Sequence, residues 1–166
     1  LALATVAGLK SAAFAATGVS FTVTSTADAV DASVGNGLCE TASGVCTLRA
    51  ALMEANTLLG VHSVALSAGR YTTTTTLGPL AKNVTITGAG AALTTVDGPD
   101  NALTFSIAGG EVSLAGFTVT GSGRAIHVAG GTAVLDRMTI SGNTLTGGGP
   151  VDAAGIYVAG ASAKAI

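Results

Sequence analysis

The chain has 166 residues, enough for one domain with a continuous core. Only 10% are charged and the formal net charge is −2, so no basic face is available to hold nucleic-acid phosphates. A hydrophobic content of 48% at such low charge argues against disorder, while 4% aromatics and 24 glycines argue against a wide core filled by rings. The apolar volume must come from Val, Ile, Leu and Ala in thin regular layers, which suits a narrow solenoid.

Residues 1–15 are apolar, rich in Ala, and end in Ala13-Phe14-Ala15, a small-x-small pattern fit for signal peptidase. They are expected to be the remnant of a secretory signal. Lys10 interrupts a stretch already shorter than the roughly 20 residues of a membrane span, so no span is expected in the mature domain. Residues 21–25 (Phe-Thr-Val-Thr-Ser) alternate apolar and polar and predict a first strand. Residues 28–40 are acidic and punctuated by glycine, a loop with Gly35-Asn36-Gly37 as a turn. Cys39 and Cys46 are the only cysteines, and in an exported protein two so close are expected to form a disulfide closing a small loop. Two cysteines with distant histidines do not make a zinc set. Thr47 can cap a helix through its hydroxyl. Leu48, Ala51, Leu52, Ala55 and Leu59 then recur at helical spacing as one apolar stripe, with Arg49, Glu54 and Asn56 away from its centre and Gly60 as the stop. A lone helix before a series of strands reads as a cap. Residues 64–66 and 71–76 predict two more short strands.

From Val84 onward a repeat emerges, apolar-Thr-apolar-Thr/Ser-Gly, at Val84-Thr85-Ile86-Thr87-Gly88, Phe117-Thr118-Val119-Thr120-Gly121 and Met138-Thr139-Ile140-Ser141-Gly142. A second unit, Ile107-Ala108-Gly109-Gly110, recurs as Val128-Ala129-Gly130-Gly131 and as Val158-Ala159-Gly160. The shared interval, from Phe117 to Met138 and from Ile107 to Val128, is 21 residues. Two or three short strands per interval are what one coil of a parallel β-helix requires, with aliphatics inward and glycine at the corners. The expected fold is therefore all-β, a single-stranded right-handed parallel β-helix with an N-terminal α-helical, disulfide-tied cap. The division expected is 1–15 signal remnant, 16–80 cap and first coils, and 81–166 β-helix repeats. An antiparallel sandwich is the competing arrangement, and Asp97-Gly98 is its clearest hairpin candidate.

The run Cys46-Thr47-Leu48-Arg49-Ala50-Ala51-Leu52-Met53-Glu54-Ala55-Asn56 resembles the signature of the bacterial CSLREA domain, with Ala50 where that domain's name has Glu. The resemblance extends upstream through Thr24-Ser25-Thr26-Ala27-Asp28, Asp31 and the segment from Gly37 to Cys39, and covers about residues 21–71. Downstream, Thr139-Ile140-Ser141-Gly142-Asn143-Thr144, Gly147-Gly148-Gly149 and Gly155-Ile156-Tyr157 are similar to repeats of secreted β-helix and polymorphic outer-membrane proteins, interrupted here by residues 150–154. The resemblance implies export to the cell surface or medium, and a continuation of the chain beyond Ile166 within a longer protein, often with a C-terminal anchor. It implies no established reaction.

Chemistry-bearing residues are sparse. Asp28, Asp31, Asn36 and Glu40 form the one acidic cluster, which offers oxygen ligands for calcium or, equally, Asx-turn and capping partners for nearby amides. Asp97, Asp100, Asp136 and Asp152 are the candidate acids for a polysaccharide hydrolase, with Asp136 and Arg137 also suited to an exposed ion pair. Arg124, Lys82 and His127 are the candidate bases for a uronate lyase, and His62 is expected at the surface. The run from Thr72 to Thr76, with Thr85, Thr87, Thr118, Thr120 and Thr139, raises an ice-binding array. No phosphate loop, Ser-His-Asp order or other cofactor pattern is present. The expectation is a non-catalytic extracellular or cell-surface scaffold of adhesion type, contacting glycans or cell-surface components; a β-helix lyase or hydrolase and a Thr-array ice binder are the alternatives.

Overall fold

The computed structural model describes residues 17–146, 154–160 and 163–166. The proposed signal remnant and Asp152 lie outside the described residues. After β1 (Ser20–Thr22) a long loop leads to α1 (Leu48–Thr57), and strands then follow in threes. The first coil holds β2 (His62–Ala65), β3 (Gly69–Thr72) and β4 (Leu77–Leu80). The second holds β5 (Val84–Thr87), β6 (Thr94–Asp97) and β7 (Leu103–Ile107), and the third β8 (Glu111–Ala115), β9 (Thr118–Thr120) and β10 (Arg124–Val128). Next come β11 (Thr132–Asp136), β12 (Thr139–Ile140) and β13 (Ile156–Val158), followed by β14 (Lys164–Ala165).

Every strand pairing among the described residues is parallel. The strands sort into three sheets, β1-β2-β5-β8-β11-β14, β3-β6-β9-β12 and β4-β7-β10-β13, so the fold is a three-faced parallel β-solenoid. Asp97-Gly98 makes no hairpin; β6 ends there and the chain turns towards β7.

Alternation within each strand explains the core. Val64, Ile86 and Leu114 stack through the first sheet, Tyr71, Val96 and Val119 through the second, and Leu77, Phe105 and Ile126 through the third. All nine are at most 3% exposed. Each such side chain contributes about 1.5–3 kcal/mol by leaving water. The Tyr71 hydroxyl donates to Ser67 O at 3.1 Å, and burial pushes the phenol above its ordinary pKa.

Coil length is uneven. Along the first sheet the register advances 22 residues from Val64 to Ile86, 28 to Leu114 and 21 to Leu135. The interval of 21 therefore holds once on each of the three faces, from β8 to β11, β9 to β12 and β7 to β10, and the alignment of Val128 with both Ile107 and Val158 is as the repeat predicts. The Thr-rich unit divides differently from expectation. Residues 84–87 form β5 in the first sheet, whereas the units beginning at Phe117 and Met138 supply β9 and β12 in the second. Residues 71–76 are likewise not one strand. β3 stops at Thr72, and Thr73 to Thr76 turn a corner into β4, whose Leu-Gly-Pro-Leu sequence does not alternate.

Gly110 and Gly131 occupy equivalent corners with φ of +66° and +73°, a conformation that side chains with a Cβ rarely adopt. A Cβ on Gly131 would also stand 2.4 Å from Gly110 O. Gly131→Ala is therefore expected to destabilise the fold by about 2 kcal/mol, read as a lowered midpoint in urea unfolding followed by circular dichroism.

Candidate functional site

The residues that matched a motif converge on one place, the cap at the N-terminal end of the stack. Thr47 accepts from Ala50 N at 3.1 Å, the helix N-cap, and donates its own hydroxyl proton to Ala29 O at 2.6 Å. Leu48, Ala51, Leu52 and Ala55 are 0–3% exposed and lay the helix over β2 and β4. The helix stops at Thr57, earlier than Gly60 would suggest, because Leu58 turns extended towards β2 with its N–H still bonded to Glu54 O. Leu59 is consequently 74% exposed and does not belong to the stripe.

The polar residues of the helix do more than face water. Arg49 donates from Nε to Asp28 Oδ1 at 2.6 Å and from Nη2 to Asp28 Oδ2 at 3.1 Å, a bidentate pair. It also donates to Thr75 O at 2.8 Å and Thr76 O at 3.1 Å. Asn56 bridges the far end of the same corner, donating to Pro79 O at 2.9 Å and accepting from Ala81 N at 2.7 Å. Glu54, expected off the stripe, is fully buried and accepts from Gly35 N at 2.6 Å and Gly37 N at 2.8 Å. Gly35 and Gly37 have φ of +93° and +83°, so the Gly-Asn-Gly turn is a nest of amides closed around a carboxylate.

Cys39 and Cys46 form the disulfide, with Cα atoms 5.0 Å apart. Cys46 O accepts from Thr24 N at 2.9 Å and Ser25 N at 3.0 Å, so the bridged loop covers the chain as it leaves β1. This shortens the first strand: it runs Ser20–Thr22, Val23 N makes a last bond to Ala65 O of β2, and residues 24 and 25 bond to Cys46 instead.

Asp28, Asp31, Asn36 and Glu40 are each turned to separate tasks. Asp28 takes Arg49 and also accepts from Thr74 N and Thr74 Oγ1 at 2.8 and 2.7 Å. Asp31 accepts from Ser33 N at 2.8 Å and Glu40 N at 2.9 Å, and Asn36 accepts from Leu38 N at 2.7 Å. The Glu40 side chain is exposed. Among the described residues no three His, Cys, Asp or Glu side chains converge as a metal site would require.

The remaining candidates are dispersed. Asp97 pairs with Arg70 at 2.8 Å on the second sheet, Asp100 lies in the turn that follows, and Asp136 pairs with Arg137 at 2.7 Å in the open. Lys82 is exposed between β4 and β5. His127 and Arg124 lie on β10 with Tyr157 of β13 beside them: the His127 and Tyr157 rings stack at 5.3 Å, and Arg124 Cζ sits 4.7 Å from the Tyr157 ring centre. His62 is 1% exposed rather than superficial, because β2 begins with it and its ring turns inward towards Phe21. Its Nδ1 accepts from Val19 N at 3.1 Å, and its Nε2 has no partner. Glu54, Leu59 and His62 thus lie where the sequence does not place them. A carboxylate in line with a Gly-x-Gly turn is the signal that could have found the first.

Two outcomes test the cap. Glu54→Gln puts an NH₂ against one of two buried amide donors, and is expected to cost about 2 kcal/mol in chemical denaturation. Burial acts to raise the Asp28 pKa, but hydrogen bonds from Arg49 and Thr74 outweigh it and hold the carboxyl below 3.8. A depressed value contributes stability above the unfolded pKa and loses it as pH falls through the folded one. The melting-temperature gap between wild type and Asp28→Asn should thus be widest near neutrality and close below about pH 4.

No helix among the described residues is long and apolar enough to cross a membrane. Comparison of the chain with protein-family models, with curated proteins and with solved structures returned no match in any of the three.

Proposed function

We propose that the protein is a non-catalytic scaffold module of the CSLREA type, exported to the bacterial cell surface or medium, where its solenoid contacts glycans. The observation that carries glycan contact is the half-buried group formed by Arg124, His127 and Tyr157 on the outward side of the third sheet. An aromatic ring offers an apolar face to the C–H groups of a sugar, and adjacent guanidinium and imidazole groups supply donors for its oxygens. The disulfide supports export, since such bridges persist in oxidising compartments. The cap supports a structural role, because Asp28, Asp31 and Glu54 are bonded to the protein itself.

The test is a panel of bacterial and plant polysaccharides, including pectin and alginate, offered to the whole chain with and without calcium. The expected result is binding that Tyr157→Ala removes, with no ultraviolet absorbance from unsaturated products. Turnover of any uronate overturns the reading in favour of a lyase, and absence of binding across the panel overturns glycan contact.

A further inference from the structure

The first sheet carries a feature that glycan contact leaves unused. Its outward positions on four consecutive strands form two ranks. Ser20, Ser63, Thr85 and Ser113 stand in register in one, and Thr22, Ala65, Thr87 and Ala115 in the other. No bulge interrupts the register from β1 to β8, unlike the shift between β4 and β7. None of the eight side chains is charged or longer than threonine. The first charges in line with them come at Glu111 beside the first rank and Asp136 at the far end of the second.

Ser20, Thr22, Ser63 and Thr87 are exposed and Thr85 and Ser113 half-buried, whereas Ala115 is only 8% exposed. Apart from the bond from Ser63 Oγ to Ser20 Oγ, no hydrogen bond within the described residues occupies the side chains of Thr22, Thr85, Thr87 or Ser113. The second sheet, which the Thr-rich repeats would equally suggest, is different. There the Thr118 hydroxyl donates to Ala91 O at 2.7 Å, and the ion pair of Arg70 with Asp97 stands between the ranks.

We propose that the outward face of the first sheet is an ice-binding surface, its occupant an ordered layer of water continuous with the ice lattice. Neighbouring strands place equivalent side chains about 4.8 Å apart, and alternate residues along a strand repeat at about 6.7 Å. Two axes of hexagonal ice repeat at closely similar distances, so free hydroxyls on such a grid hold waters near lattice positions. Methyl groups of Thr22, Ala65, Thr85 and Thr87 fill the gaps without competing for hydrogen bonds. None of the eight positions carries a charge, and concave sites lie only at the margins of the face, one between Ser20, Thr22 and the bridged loop and one between Thr87 and Arg137.

The inference does not rest on the scaffold reading, and glycan binding neither supports nor removes it. The experiment measures thermal hysteresis and ice-crystal shape with the whole chain, then with Thr85→Lys and Ser63→Lys on the face and Thr139→Lys on the second sheet. Wild type and Thr139→Lys should shape ice, while both variants on the face fall to the buffer baseline with unchanged melting temperatures. Hexagonal shaping absent from wild type, or equal loss in Thr139→Lys, overturns the assignment. So does a concentration-dependent dimer in sedimentation that Thr85→Lys dissociates, because the face would then be covered by a second copy.

Discussion

A stack of parallel coils must close its first layer, because that layer has a core on one side and water on the other. Here the closure is α1, whose Leu48, Ala51, Leu52 and Ala55 replace the aliphatics that a preceding coil would have supplied. A short helix has little stability of its own and is held by what it packs on. The loop before it is pinned by three separate devices: the disulfide, the Asp28–Arg49 pair and the nest around Glu54. Register in every later coil follows from this first placement, since each strand hydrogen-bonds only to the one beneath and the one above.

Three polar side chains of the helix, Arg49, Glu54 and Asn56, explain one another. A bare carboxylate at the position of Glu54 would be costly, and the two glycine amides make it a fixed anchor instead. Arg49 and Asn56 reach opposite ends of the corner containing Thr75 and Pro79, so the helix is tied across the first turn of the solenoid. The motif thus reads as joinery between a plug and a coil.

Much of this was legible where the signal was local. The stripe of α1, its cap at Thr47, the short bridged loop and the interval of 21 all lie within a few residues or one repeat, and periodicity reports them directly. Long-range partners were not legible. Glu54 meets amides 17 and 19 residues away, and His62 meets Val19 at a separation of 43. Nothing near either residue in the sequence marks it as buried. The strand β4 gives no alternating signal, because Gly78 and Pro79 occupy its middle, where an end position in its sheet tolerates them. The Thr ranks were misassigned because coil length varies between 21 and 30, so similar sequence units land on different faces. The hydroxyl face could have been found only by fixing the register first, since five of its eight members are serines and alanines.

The two ends of the stack are unlike. At one, α1 and the bridged loop lie against the first coil; at the other, β12, β13 and β14 close their sheets, with Ile156 and Val158 36% and 42% exposed. At the plug, side chains of the cap take up Thr74 N, Thr75 O, Thr76 O, Pro79 O and Ala81 N, so at that corner the first coil finds its backbone partners without a strand beneath it.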